Sequence, residues 1–220
     1  MKTSKIIFIT FWSMVALFLL SFLIPASTVG RRGADRAVKA YLVPKFSHIV
    51  MAKGANLTME NSFVDTLWIR YDSRMGEVQP NFSVKGDTLF VMGQSPTEGY
   101  CNIIVSGNQV ESVSVNNANL DVATVTRPYL FLQGDGGQID FYDSANIDSL
   151  SLDLRNGSRM TVQQSNLRFL QISLEKSHAY VYNNKIDELN ASLRDTSVCE
   201  VGKVLRCHME ADESSRFSSR

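Results

Sequence analysis

Downstream of residue 130 the apolar residues of this chain fall into sets that recur every nineteen or twenty residues. Leu130 and Leu132 are followed by Leu150, Leu152 and Leu154, then Leu170, Ile172 and Leu174, then Leu189, Ala191 and Leu193. Within the last three sets apolar and polar residues alternate, the period of a strand buried on one face. A second ladder runs beside the first through Ile139/Phe141, Met160/Val162, Tyr180/Tyr182 and Cys199/Val201. A third runs through Ile147, Leu167, Ile186 and Leu205. Three short strands per repeat, stacked on themselves, predict an all-β fold: a parallel β-helix with coils of about 19–20 residues. A sandwich pairs sequential strands antiparallel and has no need of such a repeat.

The residues between the rungs face water in this reading. They form columns: Ser151, Gln171 and Asn190 in one, Asp153, Ser173 and Ser192 in the next. These six are the candidate binding residues, because stacked short polar side chains present a row of donors and acceptors at little entropic cost. Upstream the repeat fades. Residues 46–105 read as short β runs around Ile49, Leu57, Ile69, Leu89 and Ile103, separated by turn residues such as Lys53-Gly54 and Gly86-Asp87. They are expected to form an irregular first β layer covering one end of the solenoid, with regular coils over 106–220. A solenoid needs such a cap because an end coil exposes unpaired backbone. The tail from Met209 is polar, with Phe217 as a candidate last inward rung.

The N-terminus reads as an address. The apolar run that opens at Ile6 and closes at Ile24 has no charge, and Pro25 follows it. At ~1.5 Å per residue it spans a ~30 Å hydrocarbon core as a helix. The expected organisation is a transmembrane anchor over 1–30, a basic linker over 31–45 with a short helical stretch over 34–39, and the β-helical domain over 46–220. The competing reading of the run is a cleaved signal peptide, for which it is long and Pro25-Ala26-Ser27 is a poor cleavage site. Arg31, Arg32, Arg36 and Lys39 outnumber Lys2 and Lys5, and by charge counting they would hold the domain in the cytosol. Large domains cross in spite of that bias, and the reading adopted is an inner-membrane anchor with the domain outside. A cytosolic orientation and secretion after cleavage are the alternatives.

Charge excludes one class of partner. Net charge is zero, yet residues 1–45 carry seven Lys/Arg and one acid, which leaves the rest at −6. An acidic body lacks the basic stripe that nucleic acid requires. No catalytic or cofactor chemistry is legible. Gly134-Asp135-Gly136-Gly137 precedes a strand rather than a phosphate-cradling helix and reads as a loop. Cys199, Cys207 and His208 have no recognised metal-ligand spacing. The three cysteines read as thiols, Cys199 buried, with a Cys199–Cys207 bridge as the alternative. Asp140 and Asp153 alternate outward on different strands and need not converge. The Asp140 column is read onward as Thr161, Val181 and Glu200. Convergent carboxylates on one face would instead point to a carbohydrate-active enzyme.

With these residues in view, the chain resembles the auto-transporter adhesin head, or GIN, domain family. The likeness rests on the strand from Phe46 to Ile49, on Leu57-Thr58-Met59-Glu60, on Leu67-Trp68-Ile69-Arg70-Tyr71-Asp72, on the strand from Gly86 to Val91, and on the strand–turn–strand repeats of 110–220. Its turns depart from the family's Gly-Ser-Gly: here they are Asn156-Gly157-Ser158, Lys176-Ser177-His178 and Asp195-Thr196-Ser197. The resemblance implies a β-helical, non-enzymatic, adhesin-like protein of a bacterial cell envelope that binds a protein or glycan. An accessory or sensor subunit of a membrane complex is the alternative. Asp65-Thr66-Leu67, Asp87-Thr88-Leu89, Asp143-Ser144-Ala145 and Asp148-Ser149-Leu150 also resemble the O-glycosylation acceptor of exported Bacteroidota proteins.

Overall fold

The structure is a computed structural model that describes residues 36–62, 65–72, 81–93, 101–142, 145–163 and 167–219. The anchor expected between Ile6 and Ile24 lies outside them. Among the described residues no helix is long and apolar enough to cross a membrane. The strands, in chain order, are β1 (Arg36–Leu42), β2 (His48–Met51), β3 (Asn56–Glu60), β4 (Thr66–Asp72), β5 (Phe82–Lys85) and β6 (Thr88–Val91). Then come β7 (Cys101–Ser106), β8 (Ser112–Asn116), β9 (Asn119–Val122), β10 (Thr126–Asp135), β11 (Gln138–Phe141) and β12 (Asn146–Arg155). The last are β13 (Arg159–Gln163), β14 (Phe169–Glu175), β15 (His178–Arg194), β16 (Val198–Ala211) and β17 (Arg216–Ser219).

These strands build a parallel β-solenoid. On its first face β8, β10, β12, β14 and the second halves of β15 and β16 pair in parallel. On its second face β9, β11, β13, the first halves of β15 and β16, and β17 do the same. The first-face ladder stands as read: Leu132, Leu152, Ile172 and Ala191 are in-register partners on successive strands, and all are buried. The candidate columns also align, Ser151 with Gln171 and Asn190, and Asp153 with Ser173 and Ser192.

The second-face ladder differs by one residue in one coil. Met160 pairs with Ala179, and Val162 with Val181, so Tyr180 and Tyr182 point outward. The cause is turn length. Three residues separate Leu154 from the buried Ser158, whereas two separate Leu174 from the buried Ser177. A one-residue slip moves every side chain of a strand to the other face. The Asp140 column therefore runs on through Thr161, Tyr180 and Glu200, with Val181 in the core. The third ladder ends on Val204, which pairs with Ile186, while Leu205 is 55% exposed. The register shifts between Val181 and Lys185, so the last coil is shorter and a fixed period overshoots by one.

The turns between the two faces share one construction. Asn117, Gly136, Asn156, Lys176 and Asp195 have positive φ, a conformation that asparagine, aspartate and glycine tolerate best. Behind three of them sits a fully buried serine: Ser158, Ser177 and Ser197. Each hydroxyl donates to the carbonyl that ends the preceding strand, at 2.6 Å to Arg155, 2.9 Å to Glu175 and 2.5 Å to Arg194. These hydroxyls are buried without an orphaned donor, as a dry corner requires. The last turn is tied by Asp212. Its carboxylate accepts from the Asp195 backbone N–H at 2.7 Å and from Ser214, and these bonds hold its pKa down to about 2.

The chain does not stack its coils in sequence order. The first coil, β2–β3, lies between β6–β7 and β8–β9, with β2 parallel to both β6 and β8, and β3 parallel to both β7 and β9. Beyond β6–β7 the pairing turns antiparallel, β5 on β6 and β4 on β7, and β1 adds to β4. Residues 36–42, read from sequence as linker with a helical stretch, are thus a strand of this end layer. At the other end Phe217 pairs with Cys199 and packs on the core. No disulfide joins the three cysteines: Cys101 and Cys199 are buried, and Cys207 is exposed on the first face. The Cys199–Cys207 bridge is not formed. Burial pushes the Cys199 thiol up to about 12, which makes it an inert core residue at neutral pH.

Candidate functional site

The two outer faces differ in relief. On the first face Asp153 holds Arg155 through two bonds, at 3.1 and 2.9 Å, and its neighbours Ser173 and Ser192 are short. Gln171 and Asn190 are exposed in the adjoining column. On the second face a depression of about 240 Å³ is lined by Asn56, Asn102, Asn119, Asp121, Gln138, Asp140 and Tyr142. The strand order builds it. β7, β3, β9 and β11 are successive neighbours, so residues far apart in sequence meet on one sheet.

Asp121 and Asp140 are in-register partners on β9 and β11, about 4.7–4.9 Å apart at the backbone and on the same side. Asp140 is 9% exposed. It accepts from Gln138 Nε2 at 2.5 Å. Among the described residues neither carboxylate has an ion-pair partner. Burial, and then the neighbouring charge of Asp140, push the Asp121 carboxyl above its ordinary value. Burial and the two carboxylates likewise raise the Tyr142 phenol. Asn119 donates to Asn56 Oδ1 at 2.9 Å, and Asn102 donates to Thr58 Oγ1 at 2.8 Å. The other polar atom of Asn102, Oδ1, is buried and has no partner.

Beside the depression runs an aromatic strip. Tyr180 and Tyr182 stack at 5.9 Å between centroids, His178 stacks on Tyr180 at 6.4 Å, and Arg159 lies 5.2 Å over the Tyr180 ring. This strip exists because of the short turn that put Ala179 and Val181 inside.

The six columnar residues read from sequence lie on the first face and do not belong to this depression. Cys199 faces the core of the second face, Cys207 lies on the first, and His208 is exposed in register with Asn190. The acid pair was legible, since Asn119-Leu120-Asp121-Val122 repeats nineteen residues later as Gln138-Ile139-Asp140-Phe141. Following the Asp140 column only downstream missed it. Asn56 and Asn102 carry no such signal, because their coils are stacked out of order.

The acid pair has a cost that titration exposes. The folded state favours protonated Asp121. Its contribution is therefore full below the ordinary carboxylate range and is lost as pH rises through the elevated value. Asp121→Asn is expected to raise Tm at neutral pH by about 1–4 °C, the scale of a cross-strand like-charge pair of ~0.2–1 kcal/mol. The gain should vanish below about pH 4. Thermal melts across that range measure it, and a gain constant with pH would mean the two charges do not interact.

No family model matches the chain, and no curated protein does. Solved structures do. A proposed adhesin of Parabacteroides merdae aligns over 86% of this chain and 97% of its own, with TM-score 0.56 and 9% identity. One of Bacteroides fragilis aligns over 84% and 97%, with TM-score 0.56 and 13% identity. One of Parabacteroides distasonis aligns over 86% and 95%, with TM-score 0.50 and 11% identity. The fold is shared with proposed adhesins of Bacteroidota. At these identities the likeness is one of fold, and any function must come from the chain's own surfaces.

Proposed function

We propose that this chain is a non-enzymatic, adhesin-like protein of the cell envelope that binds a glycan on the second face of its solenoid. The observation that carries the reading is the depression of amides, carboxylates and a tyrosine beside a stacked aromatic strip. Amides and carboxylates supply directional partners for hydroxyl groups, and aromatic rings supply flat surface for the apolar side of a sugar ring. A rigid sheet holds both sets in place, which lowers the ordering cost of binding. Membership of the GIN domain family and an inner-membrane anchor between Ile6 and Ile24, with the domain outside, belong to the same reading. They are supported by the fold shared with proposed adhesins and by the apolar run. The first-face columns Ser151/Gln171/Asn190 and Asp153/Ser173/Ser192 offer a second, flatter surface for a protein.

One observation favours a carbohydrate-active enzyme instead, the convergence of Asp121 and Asp140. Both project from one sheet face in the same direction, whereas acid and base in glycoside cleavage flank the bond. The full chain, purified in a non-glycoside detergent and applied to a panel of envelope and host glycans, tests the proposal. Retention of a glycan class that is lost in Tyr180→Ala is the expected result. No retention of any class would overturn the glycan reading. Shortened or unsaturated products, read by mass, would overturn the non-enzymatic one.

A further inference from the structure

We infer that the depression on the second face takes a sugar residue bearing a free amine, its ammonium against Asp121 and Asp140 and a hydroxyl against Asn102. The inference rests on the glycan reading above and names its ligand class. Charge is the first argument. Among the described residues seven line the depression, two of them acids and none of them a base. Two arginines flank it: Arg159 pairs in register with Gln138, yet its guanidinium lies over the Tyr180 ring, and Arg70 pairs with Asn102 on β4, three strands from Asp121. Two carboxylates on neighbouring strands, Asp140 buried and Asp121 partly so, repel each other, and the fold leaves that repulsion standing. A ligand cation removes it, while a neutral sugar leaves it in place and an acidic sugar adds to it.

The second argument is Asn102, only 5% exposed. One polar atom of its amide bonds Thr58 Oγ1, and the other is sealed from solvent without a partner, in a side chain that lines the depression and must turn to meet a ligand. Turning the amide over only exchanges which atom is left. A buried polar atom without a partner costs about 1–3 kcal/mol, and a ligand hydroxyl, which both donates and accepts, satisfies either orientation.

Size and spacing then separate a sugar from a metal ion. Asn102 stands on β7 and the acid pair on β9 and β11, two and three strand spacings away, ~10 and ~14 Å at the backbone. A calcium ion holds its ligands at ~2.3–2.6 Å and cannot touch both. A substituted sugar ring can. The volume of about 240 Å³ lies below the ~300–1,000 Å³ of drug-sized sites and suits one small unit. Tyr142, 47% exposed at the rim, offers ring surface to the cation.

The test uses the full chain in non-glycoside detergent at about pH 6, below the range of an amine and above that of an ordinary carboxylate. Calorimetry and saturation-transfer NMR compare a glucosamine disaccharide, its N-acetylated form, the corresponding glucose disaccharide, a blocked lysine and calcium chloride. The aminated disaccharide is expected to bind at least ten-fold more tightly than the acetylated one. Asp140→Asn and Asp121→Asn, near-isosteric changes, should each abolish that preference with an unchanged β spectrum. Equal or tighter binding of the acetylated or glucose form would overturn the inference and leave the glycan reading standing. Binding of lysine as tight as the amino sugar, or of calcium alone, would overturn it in favour of a peptide or a metal. Silence from all five probes overturns it too, and the glycan panel then decides the broader reading separately.

Discussion

Ile172→Asp is expected to unfold the solenoid, while Ser173→Asp one residue away leaves it folded. Ile172 is 1% exposed and lies between Leu152 and Ala191 in the first-face ladder. No basic residue sits among these buried neighbours. The change removes packed methyl groups and places a carboxylate in a dry interior, at a combined cost of about 5 kcal/mol or more. A domain with a net stability of ~5–15 kcal/mol does not survive that comfortably. Ser173 is exposed, and a carboxylate there meets Asp153, whose charge Arg155 already offsets. The cost should stay within about 1 kcal/mol. The same contrast decides the second face. Val181→Asp should unfold the protein, and Tyr182→Asp should not, because Val181 is the core residue. Circular dichroism melts of the four variants measure all of this, and a reversed order within either pair would show the faces misassigned.

Gly93→Ala should cost about 3 kcal/mol or more, lowering Tm by roughly 6–12 °C for a chain of this size. A Cβ at Gly93 would stand 1.8 Å from the Lys53 carbonyl oxygen and 2.8 Å from two backbone carbons. That carbonyl cannot retreat. It belongs to the β2–β3 turn, which is pinned on one side by Ala52 N–H to the Val91 carbonyl and on the other by Gly54 N–H to the Asn117 carbonyl, at 2.8 and 2.9 Å. Moving it breaks the contact between the first coil and both of its neighbours. Gly157→Ala is the control. Nothing lies within 4 Å of its Cβ, so only the strain of φ +82° remains, about 1–2 kcal/mol. If the control proved as damaging as Gly93→Ala, packing between coils would not be what demands the glycine.

How far the chain could be read depended on how local each determinant is. The first-face ladder was legible because its strands carry two or three inward apolar residues each at period two and meet their neighbours at steady spacing. The polar columns followed from the same parity. The second face was half legible. Ile139/Phe141 and Met160/Val162 are its core, but the next coil enters after a turn one residue shorter, and bulk alone favoured Tyr180 and Tyr182. Size is a poor guide there, since the interior takes Ala179 between Met160 and Cys199.

Two things were decided only by tertiary structure. One is face assignment after each turn, because a single residue added or removed inverts the whole following strand, and period counting over nineteen or twenty residues cannot resolve one. The other is the order of the coils. Sequence alone determined that β2 and β3 are strands, and the structure buries Ile49, Met51, Leu57 and Met59 in them. That this coil is inserted between β6–β7 and β8–β9 depends on which bare edge is covered when the chain returns, a long-range pairing with no local signature. That insertion carries Asn56 and Asn102 to the side of Asp121 and Asp140. The acid pair is written in the repeat, and the depression around it is made by the stacking.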